Sequence, residues 1–268
     1  MDKSRIAILS TVVNFDLYNK SAQLFPKGIR KYVIDGRNGM HSVASILYML
    51  RKLKNKNIDW LIMADEDVLF INPDLVFDCI ARMQKNNITV CGVRDGGIIP
   101  HRMQNPYAIN TFFSILNFKE ILAIWNEREM LKNQYTVAGE FDDDLSKLTG
   151  EYNVNSIYEP YYCFYFWLRR NDKKILFLDA DMPFENDQIA NRVKDDLGNE
   201  LLYHTWYARS YGDNEKHTKR IDAIFDKVHF NAGELPKPEI FKDLTYAFRK
   251  NLKKQFDRVI NKLKSLSR

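Results

Sequence analysis

Asp59-Trp60-Leu61-Ile62-Met63-Ala64-Asp65-Glu66-Asp67-Val68-Leu69-Phe70-Ile71-Asn72-Pro73 is the stretch around which the rest of the chain is arranged. An apolar run of strand character breaks into carboxylates at positions i and i+2. Residues two apart in an extended or tightly turned segment point the same way, so Asp65 and Asp67 converge beyond the strand end, where one cation can take both. Asn72-Pro73-Asp74 then opens a helix, with proline at a position whose N–H has no helical partner anyway. Strand, acidic turn and helix in that order outline a metal and phosphate site.

Moving outward, Arg5 to Val13 is a buried-strand pattern, and a strand this early reads as central in a parallel sheet. Lys31 to Ile34 is a second strand, ending at Asp35-Gly36-Arg37. Ser42 to Lys54 places Val43, Ile46, Leu47, Leu50 and Leu53 at helical spacing. Ile58 to Ala64 is the third strand, followed by a helix to about Gln84 and a fourth strand from Ile88 to Val93. Strands alternating with helices imply an α/β fold with a doubly wound, mostly parallel sheet, whose ligands lie beyond the carboxyl ends of the strands. Further on, Ile109 to Asn117 reads as a strand, Lys119 to Leu131 as a helix, Phe141-Asp142-Asp143-Asp144 as the acidic first turn of another helix, and Tyr158 to Arg170 as an aromatic helix. Lys174 to Leu178 is a strand that ends at Asp179-Ala180-Asp181, and Leu201 to Tyr207 a short strand or loop.

The chain has 268 residues, 45% hydrophobic and 13% aromatic, enough for a full core. Cys79, Cys91 and Cys163 lack CxxC spacing and read as buried thiols of a reducing compartment. The first residues lack the apolar segment of a signal peptide, so a cytoplasmic protein is expected, at most lying on a membrane. Of the net charge of +5, the segment from Lys242 onward carries +7 (nine bases, two acids) and the remainder −2 (31 bases, 33 acids). The body therefore has no basic footprint for nucleic acid. Beyond Pro236 and Pro238, Leu244, Phe248, Leu252, Phe256, Val259, Ile260, Leu263 and Leu266 form one stripe between lysines and arginines, an amphipathic basic helix. The chain thus divides into a main domain, 1–235, and a helical tail, 236–268. The tail suits an anionic membrane surface; packing on the main domain or on a second subunit, as a homodimer, is the other reading.

Asp-x-Asp spacing occurs three times, at Asp65/Asp67, Asp142/Asp144 and Asp179/Asp181. The first is favoured as the metal pair because Glu66 adds a third acid, and three adjacent carboxylates need a cation or bases to compensate them. A hard divalent ion does so while keeping positions open for phosphate oxygens. Asp179/Asp181 reads as a turn, with Met182-Pro183-Phe184 leading out of it.

The N-terminal strand Ile6 to Thr11, the segment Ile62 to Phe70 with Asn72-Pro73, the strand Asn110 to Asn117 and a late His204 ahead of a basic helix together resemble nucleotide-diphospho-sugar glycosyltransferases of the GT-A fold, the bacterial surface-polysaccharide type. The resemblance spans roughly residues 5 to 225 and implies a Rossmann-like mixed sheet flanked by helices. It further implies Mn²⁺ or Mg²⁺ held by Asp67, Asp65 and His204, stabilising charge on the leaving nucleotide. Ser10, Thr11, Val12 and Asn14 with Asp35 and Arg37 would surround base and ribose. Asp65 and Glu66 would also meet the nucleotide-sugar donor, as would Trp206 and Arg209. Lys216, His217 and Lys219, with Arg209, suit the diphosphate. An inverting member carries its base where Asp142 and Asp143 stand, and helix capping is the competing role for them. The aromatic cluster from Tyr158 to Trp167 reads mainly as core. The function expected is metal-dependent transfer of a hexose from a nucleotide-diphosphate sugar, with UDP as nucleotide, to a cell-surface glycan or lipid-linked precursor. The alternatives are a sugar nucleotidyltransferase, disfavoured because Ser10 to Asn14 lacks a glycine-rich, lysine-bearing phosphate cradle, and a non-catalytic nucleotide- or carbohydrate-binding protein.

Overall fold

The structure, a computed structural model, describes residues 1–95, 98–99, 102–146, 148, 150–228 and 237–266. The boundary at 235–236 lies outside them.

Among the described residues the strands form two sheets. The larger has the order β11-β2-β1-β3-β6-β5-β7, with β1 Ile6–Val12, β2 Arg30–Asp35, β3 Trp60–Ala64, β5 Ile88–Arg94, β6 Ile109–Asn117, β7 Lys174–Leu178 and β11 Glu239–Phe241. β1 pairs in parallel with β2 and β3, β11 with β2, and β5 with β7, whereas β6 runs antiparallel between β3 and β5. The sheet is therefore mixed and mostly parallel. Both its faces are covered, so its central strands are apolar throughout rather than alternating. One face packs against α2 (Val43–Leu53), α4 (Phe118–Ile124) and α6 (Tyr162–Arg170), and the other against α1 (Phe15–Ser21), α3 (Leu75–Lys85) and the second sheet. Gly92 permits the close pairing of β5 with β6, since a Cβ there would meet the Phe113 carbonyl at 2.7 Å.

The chain leaves β1 toward β2 on one side and returns to β3 on the other. The carboxyl ends of β1 and β3 thus diverge at a topological switch point, the usual crevice of such sheets. Because β6 is antiparallel, its first residues, Ile109 to Phe112, arrive at this same end.

The smaller sheet has the order β4-β10-β9-β8, from Val68–Phe70, Glu200–His204, Asn191–Lys194 and Ala180–Asp181. Two sequence expectations need correction. Residues 119–131 are two helices, α4 and α5 (Glu127–Leu131), because the Asn126 side chain accepts from Glu129 N and starts a new helix. Residues 141–144 are loop: Asp143 is taken by Arg169, and the Asp144 carboxylate accepts from Ser146 N within a turn. Helix α7 (Glu215–Lys227) and the edge strand β11 complete the order, and α8 runs from Tyr246 to Leu266. No helix among the described residues is long and apolar enough to cross a membrane.

Candidate active site

A cavity of about 530 Å³ opens at the carboxyl ends of β1 and β3. Thr11 and Val13 from the end of β1, Asp65, Glu66 and Asp67 after β3, Asn110 to Phe112 from β6, and the segment from His204 to Ser210 line it.

Local pairing explains how Asp67 meets His204. The chain turns after β3, with Val68 N donating to the Asp65 carbonyl at 3.2 Å, and enters β4 directly. β4 pairs antiparallel with β10 so that Val68 stands opposite His204, and Thr205 N donates to the Asp67 carbonyl at 3.0 Å. The His204 Nε2 then lies 3.4 Å from Asp67 Oδ2, with both side chains almost wholly buried. Phe112 fixes the imidazole from one side, stacked at 3.9 Å and 9°, and Trp206 packs at 4.3 Å. The other ring nitrogen, Nδ1, is buried without a hydrogen-bond partner.

The three acids play different parts. Glu66 turns toward β1, accepting from Val13 N at 3.0 Å and Asn14 N at 3.3 Å. Burial, followed by the charge of Asp67, nevertheless pushes its carboxyl up to about 7. Burial also raises Asp65 well above the carboxylate range, with Glu66 and Asp67 adding to the rise and Arg209 opposing it. Negative charge gathered here is poorly compensated by the protein, which is the condition a cation relieves.

Asp67 and His204 offer a carboxylate and an imidazole 3.4 Å apart, near enough to share one cation with ligand bonds of about 2.0–2.2 Å. Asp65, Asp67 and His204 do not gather three ligand atoms within 4.8 Å of one another; among the described residues only Cys79, Asp195 and Asp196 do. That cluster is already neutralised. Arg82 bonds Asp196 at 2.8 and 2.9 Å and Asp195 at 3.1 Å, while Leu197 N and Asn199 N donate to Asp195. The residues at the acidic turn fit a cation that keeps several positions open for other oxygens, as a divalent ion on a diphosphate does.

The wall beyond His204 is built from unusual backbone. Trp206 and Tyr207 both have positive φ, 59° and 61°, a conformation costly for aromatic residues. Arg220 holds the turn by donating to the Thr205 carbonyl at 2.6 Å and the Trp206 carbonyl at 3.1 Å, and is itself anchored to Asp187 at 3.1 Å. The Trp206 indole donates to Asn191 at 3.0 Å, and the Arg102 guanidinium lies 4.9 Å from its ring centre. Ser42, in the loop between β2 and α2, also has φ 55° and lines the cavity.

Thr11, Asp65, Glu66, Asp67, His204, Trp206 and Arg209 are thus brought to one cavity. Other residues singled out in the sequence lie beside it. Ser10 and Val12 are buried in β1. Asn14 caps α1 and stitches it to the Ala208 and Tyr211 carbonyls. Asp35 pairs with Arg37 at 2.7 Å, and Arg37 rests 4.6 Å from the Phe15 ring centre. Asp142 is exposed in the loop, and Asp143 is ion-paired with Arg169 and, at 3.7 Å, with Arg94; neither lines the cavity. Tyr162, Phe164, Tyr165 and Phe166 are core.

Sequence reading missed Arg102 and Glu159 on the cavity wall and took Tyr161, which also lines it, mainly as core. Glu159 stands just before α6, where its carbonyl accepts from Tyr162 N. Burial raises its carboxyl, as does the charge of Asp95, while Arg102, 4.0 Å away, works the other way. Tyr161 donates to the buried Asp95 at 2.5 Å, and Asn110 donates to the same carboxylate at 2.9 Å, which locks two wall residues in place.

No protein-family model and no curated protein matches the chain. Among solved structures, it is similar to the mannosyltransferase PcManGT from Pyrobaculum calidifontis in complex with GDP-Man and Mn2+, at 7% identity and TM-score 0.30, over 46% of this chain and 47% of that one. It is also similar to a glycosyltransferase involved in glycosylation of the major capsid of PBCV-1, at 16% identity and TM-score 0.30, over 47% and 68%. A third is A197 from STIV, at 12% identity and TM-score 0.37, over 74% and 92%. The chain spans about half the length of the mannosyltransferase it matches.

Proposed function

We propose that this chain is a metal-dependent glycosyltransferase of the GT-A type, moving a hexose from a nucleotide-diphosphate donor, UDP as the nucleotide, to a glycan or lipid-linked acceptor. The observation that carries this reading is the buried, under-compensated acidic turn with His204 3.4 Å from Asp67, set in a cavity at the switch point of a mostly parallel sheet. Asp67 and His204 would hold Mn²⁺ or Mg²⁺, with Asp65 beside them, and the ion would supply positive charge to the departing diphosphate. Arg209 and Arg102, both on the cavity wall, suit the phosphate oxygens, since guanidinium groups bind them in a fixed fork. Trp206 and Tyr207, held by Arg220, form a rigid surface for a sugar or base.

Transfer breaks the bond from the anomeric carbon to the diphosphate and forms one to the acceptor oxygen, whose proton must leave. Glu159 is the carboxylate we assign to take it. It lines the cavity and its burial raises its basicity, whereas Asp142 and Asp143 stand outside the wall.

The test is release of nucleotide diphosphate from a panel of nucleotide sugars with and without Mn²⁺. Turnover of at least one donor, abolished by chelation, is the expected result. Binding of donor with no turnover in any acceptor mixture would instead mark a non-catalytic binding protein.

A further inference from the structure

Helix α8, 21 residues from Tyr246 to Leu266, is about 31 Å long at 1.5 Å per residue, and its start is fastened to the body. Tyr246 packs on the core, Asn38 donates to the Asp243 carbonyl at 2.8 Å, and Lys250 Nζ donates to the Gly39 carbonyl at 3.0 Å. Lys250 lies about 160° around the helix from Leu252, so the tether sits opposite the apolar stripe. Along that stripe the described side chains are exposed: Phe248 is 70% exposed, Phe256 60%, and Leu252 and Ile260 are exposed as well. In sequence the helix holds seven lysines and arginines against one acid, Asp257.

We infer that α8 is a membrane-docking helix that lies in the interface of a bilayer rich in anionic lipid. Bare aromatic and aliphatic side chains on one side, with basic residues along the flanks, are what an interfacial helix needs. The charge chooses among occupants. Two copies of α8 packed stripe to stripe would bring two sets of seven bases together, whereas an anionic headgroup layer attracts each of them.

The tether also fixes where the cavity stands. Gly39 precedes His41 by two residues, and His41 lines the cavity. Burial holds the His41 imidazole below its usual range, and the charges of Lys250, on α8, and Arg209, on the cavity wall, lower it further. α8 therefore leaves the body at the cavity's edge, which puts an acceptor carried in the bilayer within reach. The docking stands on these observations whether or not the chain transfers sugar.

The experiment is vesicle co-sedimentation of the full chain, with no sugar donor present. The chain should bind vesicles of equal parts phosphatidylglycerol and phosphatidylcholine, not vesicles of phosphatidylcholine alone, and high salt should release it. Replacing Lys253, Lys254 and Arg258 by Gln should weaken partitioning about 100-fold. Phe248→Ser with Phe256→Ser should weaken it at least about tenfold, with the thermal midpoint of the body unchanged in both variants. Equal binding to both vesicle types, or to neither, would overturn the inference. So would a dimer in sedimentation that the Phe248/Phe256 substitutions dissociate while vesicle binding is unaffected.

Discussion

Two Asp-x-Asp turns follow strands in this protein and have opposite surroundings. At Asp179/Asp181 the sheet supplies its own cations. Arg192 grips Asp181 with two nitrogens at 2.7 and 2.9 Å and Lys194 lies 2.7 Å away, both from β9, the neighbouring strand. At Asp65/Asp67 the adjacent strand, β10, brings an imidazole instead, and burial with the neighbouring acids raises the proton affinity of Asp65 and Glu66. Spacing is shared by the two turns; what the next strand contributes is not. The cation site we propose is therefore marked by missing internal charge rather than by carboxylate spacing.

The largest effect that would sharpen this contrast is on turnover. Asp67→Asn should lower sugar transfer by about 100- to 1000-fold, with folding preserved because no strand pairing passes through its side chain; a loss under tenfold would break the contrast. His204→Ala should raise the Mn²⁺ concentration needed for half-maximal activity by about 10- to 100-fold, and a change in the donor's KM alone would argue against a ligand role. Glu159→Gln should reduce transfer to the acceptor by about 100-fold or more while leaving donor binding unchanged, as isothermal titration would record.

The smallest effect belongs to the other turn. Asp181→Asn should change turnover less than about twofold and stability by less than about 1 kcal/mol, since its ion pairs are partly solvated. The sign of its pH dependence follows from the Arg192 hydrogen bonds, and then the other bonds and charges of Arg192 and Lys194, holding the Asp181 carboxyl below its ordinary value of 3.8 despite some burial. Its stabilisation is present above pH 3.8 and is lost as pH falls through the lower folded value, because there the unfolded chain binds the proton first. The stability difference between the wild type and Asp181→Asn should be flat from neutral pH to about 5 and shrink in strong acid. Growth of the difference on acidification would contradict it.

Much of the fold could be read in the chain because its central strands are continuous apolar runs. β1, β3 and β6 sit between two covered faces, and each lies within a residue or two of where the sequence pattern puts it. Acidic first turns misled at 141–144, where Asp143 is bound to Arg169 and Arg94 rather than to a helix. Local preference for a helix start loses there to ion pairing with distant residues. Of the site, Asp65, Asp67 and His204 were legible, the acids from their strand end and His204 from a resemblance. Arg102 and Glu159 were not, and Tyr161 read mainly as core. Arg102 comes from one segment and Glu159 with Tyr161 from another, and only folding sets them on one wall. Nor could sequence distinguish Asp65/Asp67 from Asp179/Asp181 by charge, because Arg192 and Lys194 reach Asp181 across a strand pair rather than along the chain.

Direct binding of Mn²⁺, followed by electron paramagnetic resonance in the presence of a nucleoside diphosphate, puts both turns to one question. The wild-type protein and Asp181→Asn should bind the ion alike, and Asp67→Asn should lose it. Retention by Asp67→Asn together with loss by Asp181→Asn would contradict the assignment of the cation to the acidic turn after β3.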